Sequence, residues 1–295
     1  MTPQLIVIAG PTASGKTALS IDLAKYLDAE IFSADARQFF RGMDIGTAKA
    51  TAAEQAEVTH HFIDILDPEE AYSAGQYAED LQDALKAYFQ HKETAIVVGG
   101  SGFYIKAAVE GLDELPKAEA SIRAKWNARY EEEGIEALQE RLQKVDPAYY
   151  KEVDIHNRQR VQRALEAFDA TGRPFSELRK GKQQRLPWEV KLIVVEWERE
   201  HLYARINERV DHMMDEGLLE EAKALLPLRA CNALQTVGYK ELFAYFDGTC
   251  SLDEAVAKVK QHTRNYAKRQ VTWFKKQPAN IRLKEASFKS LLRQL

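Results

Sequence analysis

The chain has 295 residues, 45% apolar and 29% charged, as in a soluble globular protein with a real core and room for two modest domains or one with a large insertion. No run approaches the roughly 18 to 20 apolar residues of a membrane span. Cys231 and Cys250 stand alone, without a C-x-x-C or a His-rich pair nearby, which argues against a disulfide framework or structural zinc. The formal net charge of −4 argues by itself against a nucleic-acid binder, and a cytoplasmic protein is expected.

MTPQLIVIAG lacks a basic flank and a cleavage-type site, so it reads as a first strand and not a signal peptide. LIVIAG is a buried strand, KTALSIDLAKYL an amphipathic helix and EIFSAD a second strand; YSAGQYAEDLQDALKAYFQ is a helix and TAIVVGG a third strand. Short apolar strands separated by helices predict an α/β fold, a parallel sheet with helices on both faces. Past Leu115-Pro116 the composition turns rich in Glu, Lys, Arg and Ala at helical spacing, with a helix stop at Gly172 and Pro174. KLIVVEW (191–197) returns to the sheet, and the remainder is mostly helical. The expected organisation is a core of residues 1–116 plus 191–295, interrupted by an all-helical insertion at 117–190. Charge is unevenly spread. Between Ala255 and Lys284 there is no Asp or Glu, but there are Lys258, Lys260, Arg264, Lys268, Arg269, Lys275, Lys276, Arg282 and Lys284. Such a patch sets phosphate affinity whatever the overall charge. On a helix, Lys260, Arg264, Lys268, Thr272 and Lys276 form one stripe.

Residues 10–17, GPTASGKT, fit G-x-x-x-x-G-K-[ST] between a strand and a helix. Gly10 and Gly15 let the backbone of Pro11, Thr12, Ala13 and Ser14 curl so that N–H groups face an anion. The helix adds its positive end, Lys16 a point charge, and Thr17 a hydroxyl able to ligate Mg²⁺. ATP sites usually pair this loop with a strand ending in an acid, whereas the third strand here ends VVGGSGFY. Asp64 and Asp67 in IDILDP could help organise Mg²⁺, and a nucleotide reading stays possible but incomplete. Asp35 closes the second strand on the edge where α/β proteins bind ligands, as a metal ligand, a helix cap or a general base. Arg37, Gln38, Phe39, Phe40 and Arg41 follow, a mixture suited either to single-stranded nucleic acid or, at the two Phe, to core packing. His60-His61 lacks partners at ligand spacing and is better suited to a structural hydrogen bond.

The ordered set GPTASGKT, SADARQFFRGMDIGTAK, HHFIDILDPEEAYSAGQY, VVGGSGFYIKA, NRQRVQRALE, ARINERV, TVGYKEL and YAKRQVTWF spans residues 5 to about 275. In it the chain closely resembles the tRNA dimethylallyltransferases, also called tRNA isopentenyltransferases. The resemblance implies that the loop holds the diphosphate of dimethylallyl diphosphate. The prenyl group would pass to N6 of the adenosine 3′-adjacent to the anticodon (position 37), yielding N6-isopentenyladenosine and diphosphate. Asp35 would be the general base, Arg209 (with Arg205 a lesser candidate) the arginine at the leaving group, and Thr17 the partner of Mg²⁺. The resemblance further implies contacts with the tRNA anticodon stem-loop at Asp35, Ala36, Arg37, Gln38, Ser101 and Arg123. Further along, it implies them at Gln159, Arg160, Val161, Gln162, Arg163, Val237, Gly238, Tyr239, Lys240, Lys268, Arg269, Gln270, Trp273 and Lys275. Ala36 stands where many members carry Ser, and Phe40 where many have Tyr. A monomer is expected, with no membrane association. The rivals are an ATP-dependent small-molecule kinase and an RNA-binding ATPase.

Overall fold

The computed structural model describes residues 2–113, 115, 119–179 and 186–295. The chain divides into two compact units, Met1–Glu110 with Arg185–Leu295, and Gly111–Gln184. The first carries β1 (Gln4–Ala9), α1 (Lys16–Leu27), β2 (Ile31–Ser33), α2 (Ala52–Glu57), β3 (His60–His61), α3 (Ala74–Tyr88), β4 (Thr94–Gly99) and α4 (Gly102–Glu110). The second holds α5 (Ala120–Val145), α6 (Pro147–Glu152), α7 (Arg158–Thr171) and α8 (Phe175–Leu178). The first then resumes with β5 (Glu189–Glu196), α9 (Arg199–Asp215), α10 (Leu218–Leu225), α11 (Tyr239–Phe246), α12 (Leu252–Lys275), β6 (Ile281–Lys284) and α13 (Phe288–Leu292).

The six strands form one sheet, in the order β3-β2-β4-β1-β5-β6, and every pairing is parallel. Alternation of side chains along each strand explains why the inner strands are apolar throughout. Leu5 and Val7 of β1 join one core with Phe32, Val97 and Val194. Ile6 and Ile8 join the other with Ile31, Ile96 and Ile193. Because all strands run the same way, their C-terminal ends share one edge, where the segments after β1, β2, β4 and β5 emerge side by side.

In the helical unit, Trp126, Leu138 and Leu142 of α5 pack on Val161 and Leu165 of α7. Asn157 caps α7, accepting the Arg160 N–H at 3.2 Å, and α7 ends at the expected stop with Gly172 in the left-handed region, φ 69°. The expected insertion, 117–190, opens on residues outside those described, while Glu189 and Val190 already belong to β5.

Candidate functional site

β1 delivers the chain into the 10–17 loop. A side chain at Gly10 (φ 156°) would lie 2.7 Å from the Val195 carbonyl of the neighbouring strand, so the turn excludes one. Ala13 is held at φ 61°, an uncommon conformation for a residue with a side chain. Other parts of the fold hold the loop there. Arg205 Nε donates to the Ala13 carbonyl at 2.8 Å, Trp197 Nε1 to the Ser14 carbonyl at 3.0 Å, and Arg209 Nη1 to Thr12 Oγ1 at 3.2 Å. Lys16 Nζ donates to the Pro11 carbonyl at 2.7 Å. The carbonyls of Pro11, Ala13 and Ser14 are thus taken by side-chain donors, which leaves the loop's character to its N–H groups and to the start of α1. That helix has no side-chain cap and no acid in its first turn, a terminus suited to an anion.

Two buried cations reinforce this end. Burial, and secondarily the Arg209 charge, lowers Lys16 to about 7, with Asp35 opposing. Burial likewise pulls Arg209 below its ordinary range, while Asp35 pulls it upward. Cations so placed are relieved by a bound anion.

Asp35 follows β2. Its Oδ1 accepts the Arg37 N–H at 3.0 Å, and the Ala36 N–H donates to Ser101 Oγ at 2.9 Å, joining the ends of β2 and β4. Tyr266 of α12 approaches the same point. Burial first, then the Asp35 charge, pushes its phenol up to about 12, so it is a neutral hydroxyl at physiological pH. Phosphate loop, Asp35 and Tyr266 line one cavity of about 610 Å³. Apolar side chains, Ile206, Val210 and Met213 from α9, Leu218 from α10 and Val259 from α12, line it as well, as does the 235–238 turn. Such a cavity can hold an anion at one end, an apolar group along its wall, and a proton acceptor between them.

A family model described as IPP transferase matches residues 38–277. The chain belongs to the IPP transferase family. It is 48% identical over 278 residues to the tRNA dimethylallyltransferase of Christiangramia forsetii, covering 94% of this chain and 92% of that one. It is 46% identical over 281 residues to that of Geobacillus thermodenitrificans, covering 94% and 89%. Among solved structures it resembles the full-length tRNA isopentenylpyrophosphate transferase of Bacillus halodurans, with TM-score 0.70, 38% identity and coverage of 95% and 89%. It also resembles a eukaryotic dimethylallyltransferase described as acting on tRNA, with TM-score 0.77, 27% identity and coverage of 92% and 70%.

The residues of interest are strung along the whole chain, and the fold sorts them. Thr12, Lys16, Thr17, Asp35, Ala36, Arg37, Gln38, Ser101, Arg209, Val237, Gly238, Lys240, Arg269 and Gln270 all line the cavity. Lys268, Arg269 and Lys275 are exposed on α12, as are Arg123, Gln159 and Arg160 on the helical unit. Trp273 is half-buried and packs on the core. Arg163 lies within 3.9 Å of the buried Glu166.

Several expectations need correction. Val161 and Tyr239 are fully buried, Val161 in the helical core and Tyr239 with its hydroxyl bonded to Glu221 at 2.7 Å, so neither offers a side chain to RNA. Gln162 is buried and donates to Asn127 and Glu166. Gln270 is buried too, accepting the Thr12 N–H at 2.9 Å and donating to the Gly100 carbonyl at 2.9 Å; it braces the phosphate loop against the end of β4. Gln38 is likewise engaged, accepting from Ser33 Oγ and donating to the Thr47 and Ala48 carbonyls. The Lys260–Thr272 stripe is not uniformly free: Lys260 pairs with Asp211 at 2.5 Å and Arg264 bonds Asn207 at 2.6 Å, both on α9.

The remaining candidates are structural. Asp64 pairs with the buried Lys49, which also holds Asp44, and Asp67 pairs with Arg41 at 3.0 Å. His60 Nδ1 donates to the Val58 carbonyl at 2.8 Å, and His61 Nε2 lies 2.6 Å from Glu30. Among the described residues no group of three or more His, Cys, Asp or Glu stands ready for a metal. Phe39 and Phe40 are core residues. Tyr266 escaped sequence reasoning, although it falls one turn before Gln270 on the same helical face.

Proposed function

We propose that this chain transfers the dimethylallyl group of dimethylallyl diphosphate to N6 of the adenosine at position 37 of tRNA, releasing diphosphate. The observation that carries this is the single cavity lined by the phosphate loop, an apolar wall and Asp35. The names of relatives 42–48% identical to this chain agree with it.

An exocyclic adenine amine is a poor nucleophile because its lone pair is delocalised into the ring. Asp35 accepts the N6 proton as the N–C bond forms, keeping the nitrogen's electrons available to the allylic carbon. As the C–O bond breaks, negative charge gathers on the diphosphate. The loop N–H groups, Lys16 and Arg209 meet that charge, and binding of the leaving group restores the full cationic form of Lys16. The hydroxyl of Thr17 fits Mg²⁺, which prefers oxygen and keeps phosphate and water as its other ligands; bound there, it would add charge neutralisation at the leaving group. The reacting base must leave its stack to enter the cavity. Lys240, Lys268, Arg269 and Lys275, with Arg123, Gln159 and Arg160 of the helical unit, meet the tRNA. On this reading the chain acts as a cytoplasmic monomer.

The test is to mix the protein with unmodified tRNA, Mg²⁺ and either dimethylallyl diphosphate or ATP, and then to weigh the tRNA. A gain of one prenyl unit without ATP is expected. ATP turnover with no mass gain in either arm would reject the assignment.

A further inference from the structure

Glu241 and His262 also line the cavity, outside every role described so far. Glu241, in the first turn of α11, is buried, with its side chain 7% exposed. One carboxylate oxygen accepts the Gly238 N–H at 2.8 Å, and the other lies 2.5 Å from His262 Nδ1. A carboxylate at that position fixes the proton on Nδ1 and leaves Nε2 on the opposite side of the ring. The imidazole is 47% exposed, and among the described residues no partner is recorded for Nε2. A buried acid therefore holds a cavity-lining histidine by one nitrogen and leaves the other for a ligand.

The register of α12 says which part of the substrate meets it. Gln270 touches the phosphate loop, and Tyr266 stands beside Asp35. His262 follows one further turn along, about 12 Å from Gln270 at 1.5 Å per residue. If the donor diphosphate occupies the first position and the reacting nitrogen the second, the third lies on the acceptor side. Lys240 and the backbone of Thr236, Val237 and Gly238 line the same region.

We infer that the Glu241–His262 pair is a backbone-binding site for the acceptor RNA, with His262 Nε2–H donating to a phosphodiester oxygen beside the reacting nucleotide. The ring takes up a second proton, on Nε2, from solvent as the phosphate binds, and the chain of bonds becomes carboxylate, imidazolium, phosphate, with the cation between two anions. Glu241 is a positioning residue in this arrangement, since it acts through the imidazole and through the Gly238 turn. The inference rests on the proposed prenyl transfer to tRNA but is separable from it.

The test measures tRNA binding as a function of salt for the full chain and for His262→Gln, which keeps size and polarity but cannot carry charge. The expected result is a several-fold weaker Kd and a salt slope shallower by about 0.7 to 0.9, the loss of one phosphate contact. Glu241→Gln should shift both in the same direction by less, because its amide oxygen can still accept from Nδ1. An unchanged slope in His262→Gln, with or without a change in Kd, would overturn the phosphate contact. Failure of the underlying reading shows differently: the unmodified chain itself would transfer no prenyl group.

Discussion

Lys16 and Arg209 are buried at the phosphate-loop end of the cavity, whereas Lys268, Arg269, Lys275 and Lys276, in and just after the last turns of α12, are exposed to solvent. The first pair is costly to hold without an anion, and each member is fixed to a loop atom. The second group costs little and is screened by salt. On the proposed function the same charge serves two purposes. Buried, it fits one leaving group in one geometry; exposed, it attracts any phosphate chain and leaves selection to other parts of the site.

The sharpest way to break this contrast is at Asp35, the acid whose charge acts on both buried cations. Asp35→Ala should lower the rate of prenyl transfer by about 10² to 10⁴, the usual contribution of a general base. Diphosphate binding should hold or tighten, since the carboxylate repels the anion. A transfer rate close to that of the unmodified chain would remove Asp35 as the base.

Next in size is the pH dependence of diphosphate binding. With Lys16 at about 7 in the free chain, the amine is mostly neutral at pH 8 and must take up a proton when the anion binds. Above pH 7 the terminal phosphate is already mostly ionised, so affinity should fall with rising pH, approaching about tenfold per unit. Titration calorimetry in two buffers of different ionisation enthalpy should show uptake of nearly one proton at pH 8. Binding with no proton uptake would mean Lys16 is charged beforehand.

The smallest effect belongs to the exposed group. Lys268→Ala with Arg269→Ala should weaken tRNA binding and flatten its salt slope by roughly 1.4 to 1.8, two phosphate contacts' worth, with the KM for dimethylallyl diphosphate unaltered. A slope that stays the same would place those side chains away from the RNA backbone.

What the sequence could convey follows from this sorting. The inner strands were legible because both of their faces are buried, which makes their apolar runs continuous. β6 was not, because only Ile281 and Leu283 face the core, while Arg282 and Lys284 look like part of the basic patch. Arg282 in fact pairs with Glu196 of the adjacent strand. The bracing role of Gln270 went unread although a signal existed: Ala255, Val259, Ala267, Gln270 and Phe274 recur at helical spacing, and all are buried. Val161 shares its stripe with Leu165 in the same way. The ties of Lys260 and Arg264 to α9, and of Arg209 to Thr12, join residues about fifty to two hundred positions apart. No local pattern encodes them, and only the closed fold brings them together.

The order of the strands has a consequence for how the catalyst can evolve. Asp35 follows β2 and the phosphate loop follows β1, with β4 as the one strand between them. Adjacent strands lie about 4.8 Å apart, so the sheet sets these two exits roughly 10 Å from each other. On the proposed mechanism, one ester bond, one attack distance of about 3 to 3.5 Å and one proton-transfer distance of about 3 Å fill that span. The backbone lattice thus serves as a gauge block that side-chain drift cannot lengthen. Descendants of this enzyme would be free to re-tailor the lining of the cavity for bulkier tails, but the gap between Asp35 and the phosphate loop is cast with the fold itself.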